Sequence, residues 1–301
     1  MAQEIKNVVL IGAAGNLGSH TLQALLSSPF NVSVLSHPDS KSTFPPNVTV
    51  HRTEYTTEKL VPIFKGQDAI VSTIGTFQIG LQKTIIDAAI QAGIKRFIPS
   101  EYGCDTNSSR VLEIAPILKG KADIAAYLKE KTSSGLTWTA IITGPFFDMK
   151  GSVKGFLGLD INTHTATVWD HGNERFATST LPQIARAIVG VLSHPAETSN
   201  KYIYISSFDV THNELVATAE KITGAKWKRE DVKSEEKIKI GLDGLAKGNF
   251  SVVGLLLRAA TFTKEGTGNL EAKYGLSNEL LGLPKENLEE VLAASFKAEK
   301  V

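Results

Sequence analysis

Gly12, Gly15 and Gly18 follow one another as G-x-x-G-x-x-G directly after the apolar run Val8-Val9-Leu10-Ile11. Each glycine has its own physical use. Gly12 lets the chain turn sharply as a strand ends. Gly15, lacking a Cβ, lets a pyrophosphate reach the backbone. Gly18 lets the next helix pack closely on the strand. The helix N-terminus adds free N–H groups and a partial positive charge for the phosphates. A glycine-rich turn alone says little. Here it joins a buried strand to the apolar helix from Leu17 to about Ser27, the context that a dinucleotide-binding turn requires. Gly12, Ala14, Gly15, Asn16, Leu17 and Gly18 are the expected pyrophosphate contacts.

Other chemistry-bearing residues follow later strands. Val32 to Leu35 reads as the second strand, and the residues after it select the cofactor. An acidic residue there would bind the ribose hydroxyls and repel a 2′-phosphate. The chain has Ser36-His37-Pro38-Asp39-Ser40-Lys41 instead. Ser36, His37 and Lys41, with Ser40, are candidate phosphate donors. Asp39 follows a proline and is expected to point elsewhere, so NADP(H) is favoured over NAD(H). Thr73, Ile74 and Gly75 follow the fourth strand and should line the adenosine and ribose side. Ser100-Glu101-Tyr102-Gly103 follows the fifth, with Tyr102 a candidate substrate contact. Gly144, Pro145 and Phe146 follow the sixth and should turn over the nicotinamide. Phe146 and Phe147 are candidate walls of an apolar substrate pocket. Core packing is the competing reading for both.

The elements that must position these residues read as strands at Val8–Ile11, Val32–Leu35, Val48–His51, Ala69–Thr73, Arg96–Pro99 and Leu136–Ile142. Helices are expected at Leu17–Ser27, Glu58–Phe64, Leu81–Ala92 and from about Ile114 through Lys129. The order β-α-β-β-α-β-α-β with unbroken apolar strands predicts an α/β fold, a Rossmann-type doubly wound parallel sheet. A smaller, irregular α+β substrate region should accompany it. The expected division is 1–145 as the dinucleotide-binding domain, completed by 180–207, with 146–179 and 208–301 as the smaller region. In the latter, Ala166–Trp169 and Arg175-Phe176 read as strands around the turn Asp170-His171-Gly172-Asn173. Leu181 to Leu192 reads as a helix and Lys201 to Ile205 as a strand. Thr211 and Glu214 form a capping box, and Leu283-Pro284-Lys285-Glu286 opens a final helix. Residues 235–275, broken by glycines that include Gly266, are the least legible. There Phe250, Leu255, Leu256 and Phe262 could face substrate or core.

Bulk properties exclude several classes. The 301-residue chain has a formal net charge of +1, which gives no electrostatic case for nucleic acid or an anionic membrane. With 42% hydrophobic and 21% charged residues it has an ordinary globular composition. The lysines and arginine near 226–229 sit among acidic residues and read as solvated surface. Cys104 is the one cysteine, so no internal disulfide is possible. The N-terminus shows no signal-peptide pattern, and a cytoplasmic setting is expected. No apolar run reaches the roughly 20 residues of a membrane span. The seven histidines lack paired ligand spacing, so no metal site is expected. The absence of a Gly-x-Ser-x-Gly elbow argues against a serine hydrolase.

GAAGNLG at 12–18, RFIPSEYG at 96–103, the helix carrying Lys121 and TGPFFD at 143–148 together resemble one family. It is the NmrA-like and isoflavone reductase-like group of atypical short-chain dehydrogenases/reductases. NELLGLPKENLEEVL at 278–292 is similar to the ending of fungal members. The resemblance implies that Lys121 is the catalytic lysine and a cofactor contact, orienting the nicotinamide ribose or shuttling a proton. Lys119 remains an alternative. Tyr127-x-x-x-Lys131 spells the usual short-chain dehydrogenase pair. Lys131, however, lies about 15 Å further along the helix axis, at the end away from the cofactor. Where plant members carry a basic pair, this chain has Ala125-Ala126-Tyr127, a departure from a plant-like substrate. The resemblance implies an NADP(H)-dependent reductase that moves hydride to a small, largely apolar, possibly aromatic substrate. The alternative is a non-catalytic NmrA-like sensor of NAD(P) that binds a partner protein.

Overall fold

The computed structural model describes residues 4–265 and 267–299, so Gly266 lies outside the described residues. The chain begins with β1 (Asn7–Ile11), α1 (Asn16–Leu26), β2 (Asn31–Ser36), β3 (Thr49–Arg52), α2 (Thr57–Phe64) and β4 (Ala69–Ser72). It continues through α3 (Leu81–Ala92), β5 (Arg96–Ile98), α4 (Ser109–Ile114), α5 (Lys119–Glu130) and β6 (Thr137–Ile142). A short α6 (Ser152–Gly155) leads to β7 (Leu159–Asp160), β8 (Thr165–Trp169), β9 (Arg175–Thr178), α7 (Leu181–Ser193) and β10 (Lys201–Tyr204). Then come β11 (Phe208–Thr211), α8 (His212–Thr223), β12 (Lys228–Val232), α9 (Ser234–Ala246), α10 (Val253–Phe262), α11 (Leu270–Tyr274) and α12 (Leu288–Glu299).

Seven strands form one sheet in the order β10-β6-β5-β4-β1-β2-β3. Every pairing in it is parallel. This is the expected doubly wound, Rossmann-like α/β architecture. Helices cover both faces, which is why the strands are apolar throughout rather than alternating. Val8 and Leu10 face one core with Leu25 of α1 and Ile188 of α7. Val9 and Ile11 face the other, with Phe64 of α2, Ile85 of α3 and Ile124 of α5. The chain leaves β1 towards β2 and β3, then crosses to β4 on the other side. That reversal opens a crevice outside the carboxyl ends of β1 and β4, where ligands of such sheets sit.

A second core forms mainly from residues beyond β6, joined by Val111 and Ile114 of α4. In it, β12-β8-β7 make one small sheet and β11-β9 another. Phe262 is the centre, its ring within 4.5–5.9 Å of Phe156, Trp169, Phe176 and His212. Leu256 and Phe262 are therefore core residues, Leu255 is half-buried and Phe250 is exposed.

Three expectations are corrected. The strands flanking 170–173 do not form a hairpin: β8 pairs with β7 and β12, and β9 pairs with β11. Three successive residues there, Asp170, His171 and Gly172, have positive φ and redirect the chain between sheets. The final helix starts at Leu288, not Leu283. Ser207 and Thr180 hydroxyls capture the Glu286 carboxylate, and Gln183 donates to the Pro284 carbonyl, so the segment is held out of a helix. The helix expected from Ile114 is interrupted because Ala115, preceding Pro116, takes a non-helical conformation. Lys228, Arg229, Glu230 and Asp231, expected as solvated surface, are exposed, and they form a strand on β8. The capping box is present, with Thr211 and Glu214 bonding reciprocally. Among the described residues no helix is long and apolar enough to cross a membrane.

His212 provides a test of the second core. Burial against Phe176 and Phe262 pushes its pKa down to about 4. The neutral form is native, and the unfolded chain, with a pKa of about 6.5, binds the proton better. The contribution is present above pH 6.5 and lost as pH falls towards 4. Unfolding free energy should drop by up to about 3 kcal/mol more in wild type than in His212→Gln across that window. Urea unfolding at a series of pH values measures the difference, and parallel curves would contradict it.

Candidate functional site

The glycine turn has the geometry that its sequence implies. Gly12 adopts a φ of +84°, and the Gly15 N–H closes the turn onto the Gly12 carbonyl at 3.0 Å. A Cβ on Gly18 would lie 2.0 Å from that carbonyl oxygen. One on Gly12 would sit 2.8 Å from the main chain of Thr73. Thr73 answers by donating through both its N–H and its hydroxyl to the Ile11 carbonyl, each at 2.9 Å. Two strand ends and two loops are thereby locked together. Ala14, Gly15 and Asn16 stay exposed at the start of α1, while Leu17 and Gly18 are buried.

A cavity of about 300 Å³ opens beside this turn. Its floor is the backbone of 12–15 and its far wall is Thr73, Ile74 and Gly75. Ser36, His37 and Ser40 close the side beyond β2. Lys41 is exposed and does not line the cavity. Asp39, expected to point away, lies with a carboxylate oxygen 3.4 Å from His37 Nδ1. The cause is a β-turn: Ser40 N–H bonds the His37 carbonyl, and Pro38 at the second position folds Asp39 back.

Three residues missed by sequence reasoning shape this end. Phe44 and Tyr55 line the cavity, and Tyr55 meets His37 edge-on at 6.2 Å. The Arg52 guanidinium donates to the Ser40 and Ser42 carbonyls at 2.6 and 2.5 Å, bracing the loop after β2. No local motif marks them; they arrive through the parallel pairing of β3 on β2.

Lys121 is the third residue of α5, at the end facing the loop after β5. It is 8% exposed. Its Nζ donates to the Glu101 carbonyl at 2.5 Å and reaches the Tyr102 carbonyl at 3.4 Å. Burial lowers its pKa, and the nearby Glu101 carboxylate opposes that shift. It does not line the 300 Å³ cavity. The connection is the loop from Thr73 to Gly80, where Ile79 packs against Gly120. Lys119 is exposed. The Tyr127 hydroxyl bonds Asp87 on α3, and Lys131, at the far end of α5, lies over the Tyr127 ring.

The segment after β6 is more structural than expected. Gly144 has a φ of +63°, and a Cβ there would lie 2.0 Å from the Ala177 carbonyl oxygen. The Gly144 N–H bonds the Gly103 carbonyl, and Thr178 and Ser179 donate to the Pro145 carbonyl. Gly144 and Pro145 are thus buried in a crossing of strands rather than spread along the cavity. Phe146 packs half-buried on the main-sheet core. Phe147 is fully buried in the second core, edge-on to Phe208 at 5.1 Å, and has no surface to offer a substrate. Tyr102 is buried, and among the described residues its hydroxyl has no hydrogen-bond partner. Between Gly103, Cys104, Gly144 and Thr261 remains a void of only about 10 Å³. Among the described residues no group of three metal-ligating side chains occurs.

The model of the NmrA-like family matches residues 4–248. The chain belongs to the NmrA-like family. Among relatives, the oxidoreductase aprR of Aspergillus flavus is 36% identical over 294 residues, covering 96% of this chain and 98% of its own. The isoflavone reductase homolog IRL of Zea mays is 30% identical over 256 residues, covering 79% of this chain and 81% of its own. In three dimensions the NmrA-like chain superposes on AtPrR2, solved with NADP+ and (+)pinoresinol. The TM-score is 0.81 at 20% identity, with 97% of this chain and 99% of that one covered. An isoflavone reductase crystal structure gives a TM-score of 0.77 at 21% identity, covering 96% and 98%.

Because the Gly18 position has no room for a Cβ, Gly18→Ala must push α1 off the turn. Overpacking of this kind costs at least about 2 kcal/mol. Urea unfolding should show that loss, whereas Gly254→Ala, at an open position on α10, should be near neutral.

Proposed function

We propose that this NmrA-like protein is an NADP(H)-dependent reductase acting on a small, largely apolar substrate. The observation that carries the reading is the open cavity at the crossover between β1 and β4. Its floor is glycine backbone, and the residue at its second-strand end is Ser36 rather than an acid. Main-chain N–H groups of the turn and the first turn of α1 would hold the pyrophosphate. Ser36, His37 and Ser40 would meet the 2′-phosphate, with Arg52 holding their loop in place. Phe44 and Tyr55 would border the adenine. The oxidoreductase names of relatives and the NADP+ and pinoresinol held by AtPrR2 support the same reading.

Bound there, the cofactor would supply the hydride. The chain's own residues would do the rest. Lys121 Nζ, held by two carbonyls at the edge of the sheet, would orient the nicotinamide ribose or hold the proton delivered to substrate. A buried ammonium with a lowered pKa suits that transfer near neutrality. The unpartnered Tyr102 hydroxyl and the half-buried Phe146 are the proposed substrate contacts.

Calorimetric titration tests this. Wild type should bind NADPH at least about ten-fold more tightly than NADH, a difference of ~1.4 kcal/mol. His37→Ala should weaken NADPH without changing NADH, and Asp39→Asn should strengthen NADPH. Equal binding of the two cofactors would overturn the phosphate assignment. No binding of either would overturn the cofactor reading. NADPH binding without turnover of carbonyl, enone or benzylic ether substrates would instead support the sensor.

A further inference from the structure

The loop after β5 buries an acid beside the lysine. The Glu101 carboxylate is 1% exposed and accepts a 2.5 Å hydrogen bond from the Thr106 hydroxyl. Among the described residues no cation lies within 4 Å of it, and no carboxylate lies within 4 Å of Lys121 Nζ. The lysine instead bonds the main chain of Glu101 itself. The loop after β5 and the first turn of α5 therefore bring together a buried acid and a buried base, neither with a direct ion partner among the described residues. Burial pushes the Glu101 carboxyl up and the Lys121 ammonium down, and each charge works against that by favouring the ionised form of the other.

The surrounding groups offer no better partner. Asp105 is engaged by the Tyr274 hydroxyl at 2.7 Å and by Tyr204. Tyr102, Cys104 and Tyr202 are neutral side chains whose burial raises their pKa values. On α5 itself, Lys119 and Asp123 are exposed. On α3, Asp87 bonds Tyr127, and Lys83 lies over the same ring.

We propose that Glu101 is a positioning residue whose buried carboxylate keeps Lys121 charged, so that the ammonium persists in a closed site until substrate takes its proton. The inference rests on the reading of Lys121 as proton donor. It adds the group that sets how firmly the proton is held. With Glu101 neutralised, the strongest opposition to burial is removed, and the lysine's proton should leave more readily.

The test reads the lysine directly. Full-length protein labelled with ¹³C at lysine Cε is titrated by NMR from about pH 6 to pH 11, a range that spans the ordinary lysine value. The Lys121 signal is assigned by its absence in Lys121→Arg. Glu101→Gln should lower the Lys121 midpoint by about one pH unit or more, a ten-fold loss in proton affinity. Glu101→Asp should restore most of that shift. Should Glu101→Gln fail to fold, Thr106→Val serves, because it removes the donor that favours the ionised carboxylate. A smaller downward shift is expected. A midpoint unchanged in the folded variants, or lowered equally by Glu101→Asp, overturns the proposal. The titration needs no cofactor, so failure of NADPH to bind would sink the proposed function and leave this result standing.

Discussion

The carbonyl oxygen of Gly12 occupies the space where a side chain on Gly18 would begin, and much of the molecule depends on that approach. It lets α1 start directly against the end of β1, which puts the free N–H groups of the helix at the crevice. It lets α1 pack on α7, closing one face of the sheet over Val8 and Leu10. The Gly15 N–H returns to the same carbonyl, so the turn has one conformation. Thr73 then fastens the loop after β4 to the end of β1. The cavity is thus bounded by main chain on two sides, and its shape follows from backbone geometry more than from side-chain choice.

That dependence explains what was legible in the sequence. Both walls of the crevice were visible because glycines and apolar strand runs are local signals with a physical cause. Ser36 and His37 were visible because they directly follow a strand. Arg52, Phe44 and Tyr55 were not, since their places come from the pairing of β3 on β2, separated by a long loop. Asp39 stays in solvent outside the cavity lining, as expected, although the turn through Pro38 sets its carboxylate 3.4 Å from His37 Nδ1. Lys121 stood out only through resemblance; nothing in its local sequence distinguishes it from Lys119. Glu101 was seen as a polar residue at a strand end, but its partner Thr106 was not.

Outside the main sheet, local signals compete with distant ones. Leu283 to Glu286 carries a fair helix start, yet hydroxyls of Thr180 and Ser207 and the amide of Gln183 hold it extended. Residues 170–173 carry a fair hairpin turn. The Asp170 carboxylate instead accepts N–H groups from Ser234 and Lys264, tying the turn to two remote segments. In both cases the decisive acceptor is a carboxylate satisfied by groups far away in sequence.

Phe146 and Phe147 show how the two cores are joined. Successive residues of an extended chain point to opposite sides, so one phenylalanine enters the main-sheet core and the other the second core. The surrounding main chain is stitched to Gly103 and to 177–179. Where this crossing meets the second core, between Gly103, Gly144 and Thr261, almost no free volume remains. The adenosine end of the crevice, by contrast, is open. A ligand spanning both ends would find one half formed in advance and would have to make room in the other.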